Sequence, residues 1–189
     1  MDALGLTPPT EWLRLKRVYI WFLAAIICLP SPAWSSEATL RVAFVYNFIK
    51  FIDWPAAASH PSLRLCAMGA DGEARYALQQ LNGKVAKKQT IELIYLSDAN
   101  AVTHYLSSCQ VVYRLPPAAK MVLPHPLPEG VMLVSDETDV VDSSVSIYLM
   151  RNDEGRIEFD INQTAVHQAG VNISSQLLKL AKNNRGGKE

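Results

Sequence analysis

The sequence predicts an α/β fold: a single domain with a mixed, mostly parallel sheet, an antiparallel hairpin edge and flanking helices, preceded by a signal peptide. Three observations carry that expectation. Short apolar runs alternate with helical stretches across residues 63–115, the rhythm of βα units on a parallel sheet. Two strand-like arms, residues 145–150 and 156–161, flank Arg151-Asn152-Asp153-Glu154-Gly155, a segment with the composition of a hairpin turn. The opening residues read as a secretory address.

That address comes first in the chain. Arg14, Lys16 and Arg17 form its positive end, residues 18–29 its apolar stretch, and Pro30, Pro32, Ala33 and Ser35 a small-residue exit, with cleavage expected near Ser35. The apolar stretch is about a dozen residues, short of the roughly 20 a spanning helix needs, so a retained anchor is the weaker reading. Cys28 lies inside it, but Ile26 and Ile27 before it lack the small-residue pattern of a lipid-modified cysteine. Residues 1–35 are therefore expected to be the leader, 38–182 the domain and 183–189 a polar, frayed tail. About 150 residues remain after cleavage, enough for one domain with a hydrophobic core.

The elements follow in order. Leu40, Phe44, Phe48, Phe51 and Ile52 recur at helical spacing within residues 38–53, with Arg41, Asn47 and Lys50 on other faces, and Pro55 stops the pattern. Residues 63–68 read as a buried strand, followed by Gly69-Ala70-Asp71-Gly72 and a helix through Leu81. The rhythm repeats: 90–96 as a strand, 98–107 as a helix opened by an N-cap aspartate, and 110–115 as the next strand. Five prolines break residues 114–130 into short pieces. Residues 131–134 form another buried strand, ending in an acidic segment that reads as a helix start. In the second hairpin arm Ile157, Phe159 and Ile161 alternate with Arg156, Glu158 and Asp160, as a half-buried strand requires. Ile173, Leu177, Leu180 and Ala181 share a closing helical face, with Ser174 or Ser175 as its cap.

Composition narrows the function. Eighteen Lys and Arg balance 18 Asp and Glu, and no basic stripe interleaves with aromatics, so the field of a nucleic-acid binder is missing. Lys84, Lys87 and Lys88 beside Gly83 read as a solvated turn. Cys66 and Cys109 survive cleavage. In an oxidising compartment, pairing is favoured over two buried thiols, and a redox-active pair would want a C-x-x-C spacing.

Catalytic parts are hard to find. Gly69-x-x-Gly72 between a strand and a helix offers backbone N–H groups to an anion, but it lacks the third glycine of a dinucleotide fingerprint and reads better as a plain βα turn. His60, His104, His125 and His167 have no metal-ligand spacing. Asp136, Glu137, Asp139 and Asp142 lack the order of an EF-hand loop. No serine sits in a nucleophile elbow. We expect no catalytic, cofactor or metal site, and therefore a binding protein.

The residues also carry a resemblance. Residues 42–55, VAFVYNFIKFIDWP, are similar to the opening helix of the YfiR family of periplasmic proteins. Leu65-Cys66 with Gly69, and Ser108-Cys109-Gln110, resemble its two cysteine-bearing segments. Phe159-Asp160-Ile161-Asn162 with Ala165, Ala169-Gly170-Val171 and residues 173–181 resemble its closing motif. The resemblance implies a non-enzymatic periplasmic repressor that binds the sensory domain of an inner-membrane diguanylate cyclase and lowers cyclic di-GMP output, restraining biofilm formation. It implies sequestration by an outer-membrane lipoprotein, homodimerisation, and a structural disulfide between Cys66 and Cys109. Two departures stand out. A second cysteine pair found late in the best-known members is missing, since residues 143–161 contain no cysteine, and paired glycines before the late hairpin are replaced by Ser143-Ser144. No partner-contacting residue can be placed by motif. The alternative reading is a periplasmic small-ligand sensing domain with its pocket at the strand ends, near Gly69 to Asp71 and Ser97-Asp98.

Overall fold

In this computed structural model residues 36–55, 61–136 and 142–185 are described, all within the unit Ser35–Glu189. The leader expected over 1–35, His60, and the acidic residues Glu137 and Asp139 lie outside them.

Helix α1, Glu37–Lys50, opens where Ser36 accepts a hydrogen bond from the Thr39 amide at 3.2 Å, with Glu37 in the first turn and Lys50 in the last, as the helix dipole favours. It is shorter than the apolar spacing suggests. Phe51 is its C-cap, and Ile52–Asp53 forms strand β1, antiparallel to β9, Asn172–Ile173. The buried face extends beyond the expected aromatic stripe, of which Phe48 and Ile52 are buried and Phe44 and Phe51 pack against the core. Val42, Val45, Phe48 and Ile49 face the core, Leu40 is 46 % exposed, and Arg41 is buried. Phe44 and Phe51 are half-buried beside that face. Each fully buried apolar side chain on this face contributes about 1.5–3 kcal/mol.

Strand β2, Ser62–Met68, lies inside the sheet, parallel to both its neighbours, and reads as a near-continuous apolar run. The chain then passes through α2, Gly72–Gln79, the short β3, Val85–Ala86, and β4, Gln89–Tyr95. Lys87 and Lys88 join β3 to β4 with φ of 49° and 70°, the positive values that a two-residue hairpin turn of this kind requires at both positions. Helix α3, Ala99–Tyr105, is capped by Asp98, whose carboxylate accepts from the Ala101 amide at 2.9 Å. A 3-10 turn, Leu106–Ser108, leads into β5, Val111–Arg114, and a second one, Pro116–Ala118, follows it.

Strand β6, Met132–Asp136, runs parallel to β5 and to β7, Val145–Arg151. A register irregularity between Leu133 and Val134 sets Leu133 against Val145 but Val134 against Ile147. One extra residue on β7 therefore puts Val145 in a different core cluster from Ile147 and Leu149. Strand β8, Ile157–Asn162, returns antiparallel to β7. The turn between them is held by Asn152, whose amide oxygen accepts from the Glu154 and Arg156 backbone N–H groups. Helix α4, Gln163–Gln168, is capped by Asn162, and α5, Ser175–Leu180, by Ser174. Residues 183–189 are expected to fray, yet Asn183–Arg185 forms β10, parallel to β8, with the Asn183 amide donating to Asp160 at 3.1 Å. A backbone paired along a sheet edge has no reason to stay loose.

The sheet order is β10-β8-β7-β6-β5-β2-β4-β3, and five of its seven neighbouring pairs are parallel. Successive strand residues feed two cores. Leu65, Ala67, Val111, Tyr113, Met132 and Val134 join α1 and α2 in one. Cys66, Met68, Val112 and Leu133 join α3 and residues 118–131 in the other. The predicted mixed, mostly parallel sheet with an antiparallel hairpin and flanking helices is the observed architecture. Among the described residues no helix is long and apolar enough to cross a membrane.

Candidate functional site

Two buried arginines dominate the polar interior. Arg41, 5 % exposed, projects from α1 and donates to the Asp136 carboxylate at the end of β6, which is 4 % exposed. Asp136 also accepts from the Tyr113 hydroxyl at 2.7 Å. On its other side the Arg41 guanidinium donates through Nε and Nη2 to Glu37 at 3.0 and 2.7 Å, and Arg151 pairs with the second Glu37 oxygen. The Arg41 hydrogen bond, aided by the Arg41 and Arg151 charges and opposed by partial burial, holds the Glu37 carboxyl below its ordinary value of 4.5. Asp136 is thus a structural counter-ion inside the core at the end of a strand, and the helix expected after it falls outside the described residues. Its partner Arg41 stands 95 residues away.

Arg114 ends β5 and is 3 % exposed. Its Nη1 donates to Asp142 at 2.9 Å and its Nε to the Ser135 hydroxyl at 3.4 Å, while Nη2, sealed from solvent, has no acceptor among the described residues. Arg114 and Asp142 line a cleft of 370 Å³ together with Lys120, Met121, Leu123, His125, Ser143 and Ser144. The His125 ring is positioned there by a 2.7 Å hydrogen bond between its Nδ1 and the Ser144 hydroxyl.

Cys66 and Cys109 are joined as a disulfide with Cα atoms 5.9 Å apart, closing a sequence separation of 43 residues. Both are buried, Cys66 on β2 and Cys109 just before β5, so the bridge ties neighbouring strands within one core. Neither thiol is therefore free.

The Gly69-x-x-Gly72 segment is a plain βα turn. Gly69 has φ +72°, and a Cβ there would lie 2.7 Å from the Ala118 backbone nitrogen, so the turns after β2 and β5 pack directly on one another. Sheets of this order usually bind ligands at the switch point, where successive crossovers leave a central strand in opposite directions. Here β4 and β5 flank β2, and Ala118 fills the gap beside Gly69. Ser97 and Asp98 are committed to the α3 cap, which holds the Asp98 carboxyl below its ordinary value through the Ala101 amide and then the Ser97 hydroxyl. Ala118 thus closes the space beside Gly69, and a cleft opens at Arg114. Sequence reasoning missed that cleft because its walls come from β5, the proline-rich connector and the turn before β7.

The described histidines do not converge. His104 packs edge-on against Tyr105, His125 faces Ser144 and His167 is exposed. Among the described residues no group of His, Cys, Asp or Glu is arranged to hold a metal ion. The basic cluster proves less loose than a solvated turn. Lys87 donates to the Ile52 carbonyl and to Asp53, and Lys84 lies 5.7 Å from the Tyr46 ring centroid. Lys50 approaches that ring at 4.0 Å, and Tyr46 donates to the Val85 carbonyl, leaving Val85 itself 62 % exposed.

No curated protein matches the chain. Residues 38–182 match the sequence profile of a family described as YfiR/HmsC-like. That span runs from the first turn of α1 to the residue before β10 and contains both cysteines of the disulfide and both buried arginines. With the match covering well over half the sequence, the chain belongs to the YfiR/HmsC-like family.

Proposed function

We propose that this protein is a periplasmic regulator that binds the sensory domain of an inner-membrane diguanylate cyclase and holds the enzyme in its inactive form. The observation that carries the reading is the family match across residues 38–182. The disulfide suits an exported protein, and the leader over residues 1–35 supplies the export signal. A binding protein shifts a cyclase only through its difference in affinity for the active and inactive forms. Hundredfold suppression asks for about 2.7 kcal/mol of that difference. Release by an outer-membrane lipoprotein and self-association as a homodimer complete the proposal. Deleting the gene should raise cyclic di-GMP, and periplasmic crosslinking should capture an inner-membrane diguanylate cyclase. Unchanged cyclic di-GMP in the deletion strain refutes the reading. The Arg114 cleft favours a second one, a ligand-sensing domain serving another receptor.

A further inference from the structure

Arg114 is a buried cation with part of its hydrogen-bonding capacity unused. A guanidinium carries five N–H donors in a fixed fork. Asp142 takes Nη1 and Ser135 takes Nε, which leaves both Nη2 hydrogens without an acceptor among the described residues. Buried charged donors ordinarily find partners, so an unfilled one marks a place where an acceptor belongs. Arg114 also lines the 370 Å³ cleft, a volume suited to a small organic molecule.

The rest of the cleft narrows the chemistry. Lys120 adds a second positive charge, and among the described residues Asp142 is the one carboxylate in the wall and already pairs with Arg114, so these residues carry one net positive charge before His125 is counted. Met121 and Leu123 give the same cleft an apolar side. The geometry points to a binding site for a small organic anion, whose carboxylate or phosphate oxygen completes the Arg114 fork beside Lys120 while its apolar part lies against Met121 and Leu123. Because Nη2 is shut off from solvent, binding requires the wall to shift. Apart from Arg114 the wall has neither helix nor strand to hold it, and within its longest stretch, residues 119–123, Val122 is 90 % exposed. Ligand capture is therefore coupled to the position of that segment. The inference is independent of the cyclase reading and stands or falls without it.

The test is calorimetric titration of the full chain with inorganic phosphate, phenyl phosphate and hexanoate, with uncharged hexanamide as control. Saturable binding of a charged probe is expected, none of hexanamide, and which anion binds identifies the headgroup. Arg114→Gln should weaken that binding by about tenfold or more and Lys120→Gln by at least about threefold. Hydrogen exchange at residues 119–123 should slow on binding. Lys120 is exposed and outside both cores, so Lys120→Gln decides the matter if Arg114→Gln fails to fold. No saturable binding of any charged probe up to about 10 mM, or binding that Lys120→Gln leaves unchanged, overturns the inference.

Discussion

Removing Asp136 tests whether the Arg41 ion pair organises the core. Both partners are almost wholly buried, at 5 % and 4 % exposure. Breaking such a pair from one side typically costs about 3–5 kcal/mol, because the remaining charge stays buried without its counter-ion. Glu37 still holds Arg41 through Nε and Nη2, which places Asp136→Ala toward the lower end. The Tyr113 hydroxyl loses its 2.7 Å acceptor, which adds about 1 kcal/mol. The sum, about 3–4 kcal/mol, corresponds to a fall in Tm of roughly 6–16 °C for a domain of this size. Urea unfolding followed by circular dichroism should show the midpoint falling with the slope unchanged. The double variant Arg41→Met with Asp136→Leu should recover to within about 2 kcal/mol of the native protein, since neither charge is then buried. A loss below about 1 kcal/mol for Asp136→Ala, or a double variant as unstable as the two single changes added together, would refute the reasoning.

Replacing both Cys66 and Cys109 by Ser should cost about 4 kcal/mol, the loop-entropy value for a separation of 43 residues; a loss below about 1 kcal/mol, or free thiols in the exported protein by mass spectrometry, counts against the bridge. Gly69→Ala should destabilise by about 2–3 kcal/mol in the same assay, because the residue is left-handed and the added methyl meets the Ala118 backbone. Glu37 has its carboxyl lowered in the folded state, so its contribution is present above the ordinary value of 4.5 and is lost as pH falls through the folded value beneath it. Glu37→Gln should therefore flatten the decline in stability below pH 4.5, and an unchanged acid limb would remove Glu37 from the account.

Strand positions were legible where burial on both faces leaves a near-continuous apolar run, as at Leu63 to Met68, or where apolar residues alternate with polar ones, as at Ile157, Phe159 and Ile161. The helical spacing of α1 was legible too, and its buried face in part, at Phe48 and Ile52 but not at Arg41. A charged Arg41 belongs in the core only because Asp136 waits on β6, and no local pattern announces a partner so distant in sequence. Short pairings such as β1 with β9 and β10 with β8 were invisible for a related reason: two or three residues carry no period, and only tertiary contact forms them. The six-residue α4, capped by Asn162, is too short to show a helical period and was not read from the sequence. The Arg114 cleft joins residues from three separated segments, and the acceptor-free Nη2 becomes visible only once all of them are in place.

Both rims of the sheet are closed by scraps of chain. On one side β10 runs beside β8, with Asp160 clasping the Asn183 backbone and side chain. On the other, β3 covers the start of β4, the Ile91 amide donates to the Lys84 carbonyl, and the Asn82 side chain accepts from the Leu93 amide. Intruding strands thus find little bare backbone to zip onto, which guards against runaway stacking. Recognition of another molecule is left to side chains, and its selectivity is written in surface shape and charge instead of in main-chain pairing.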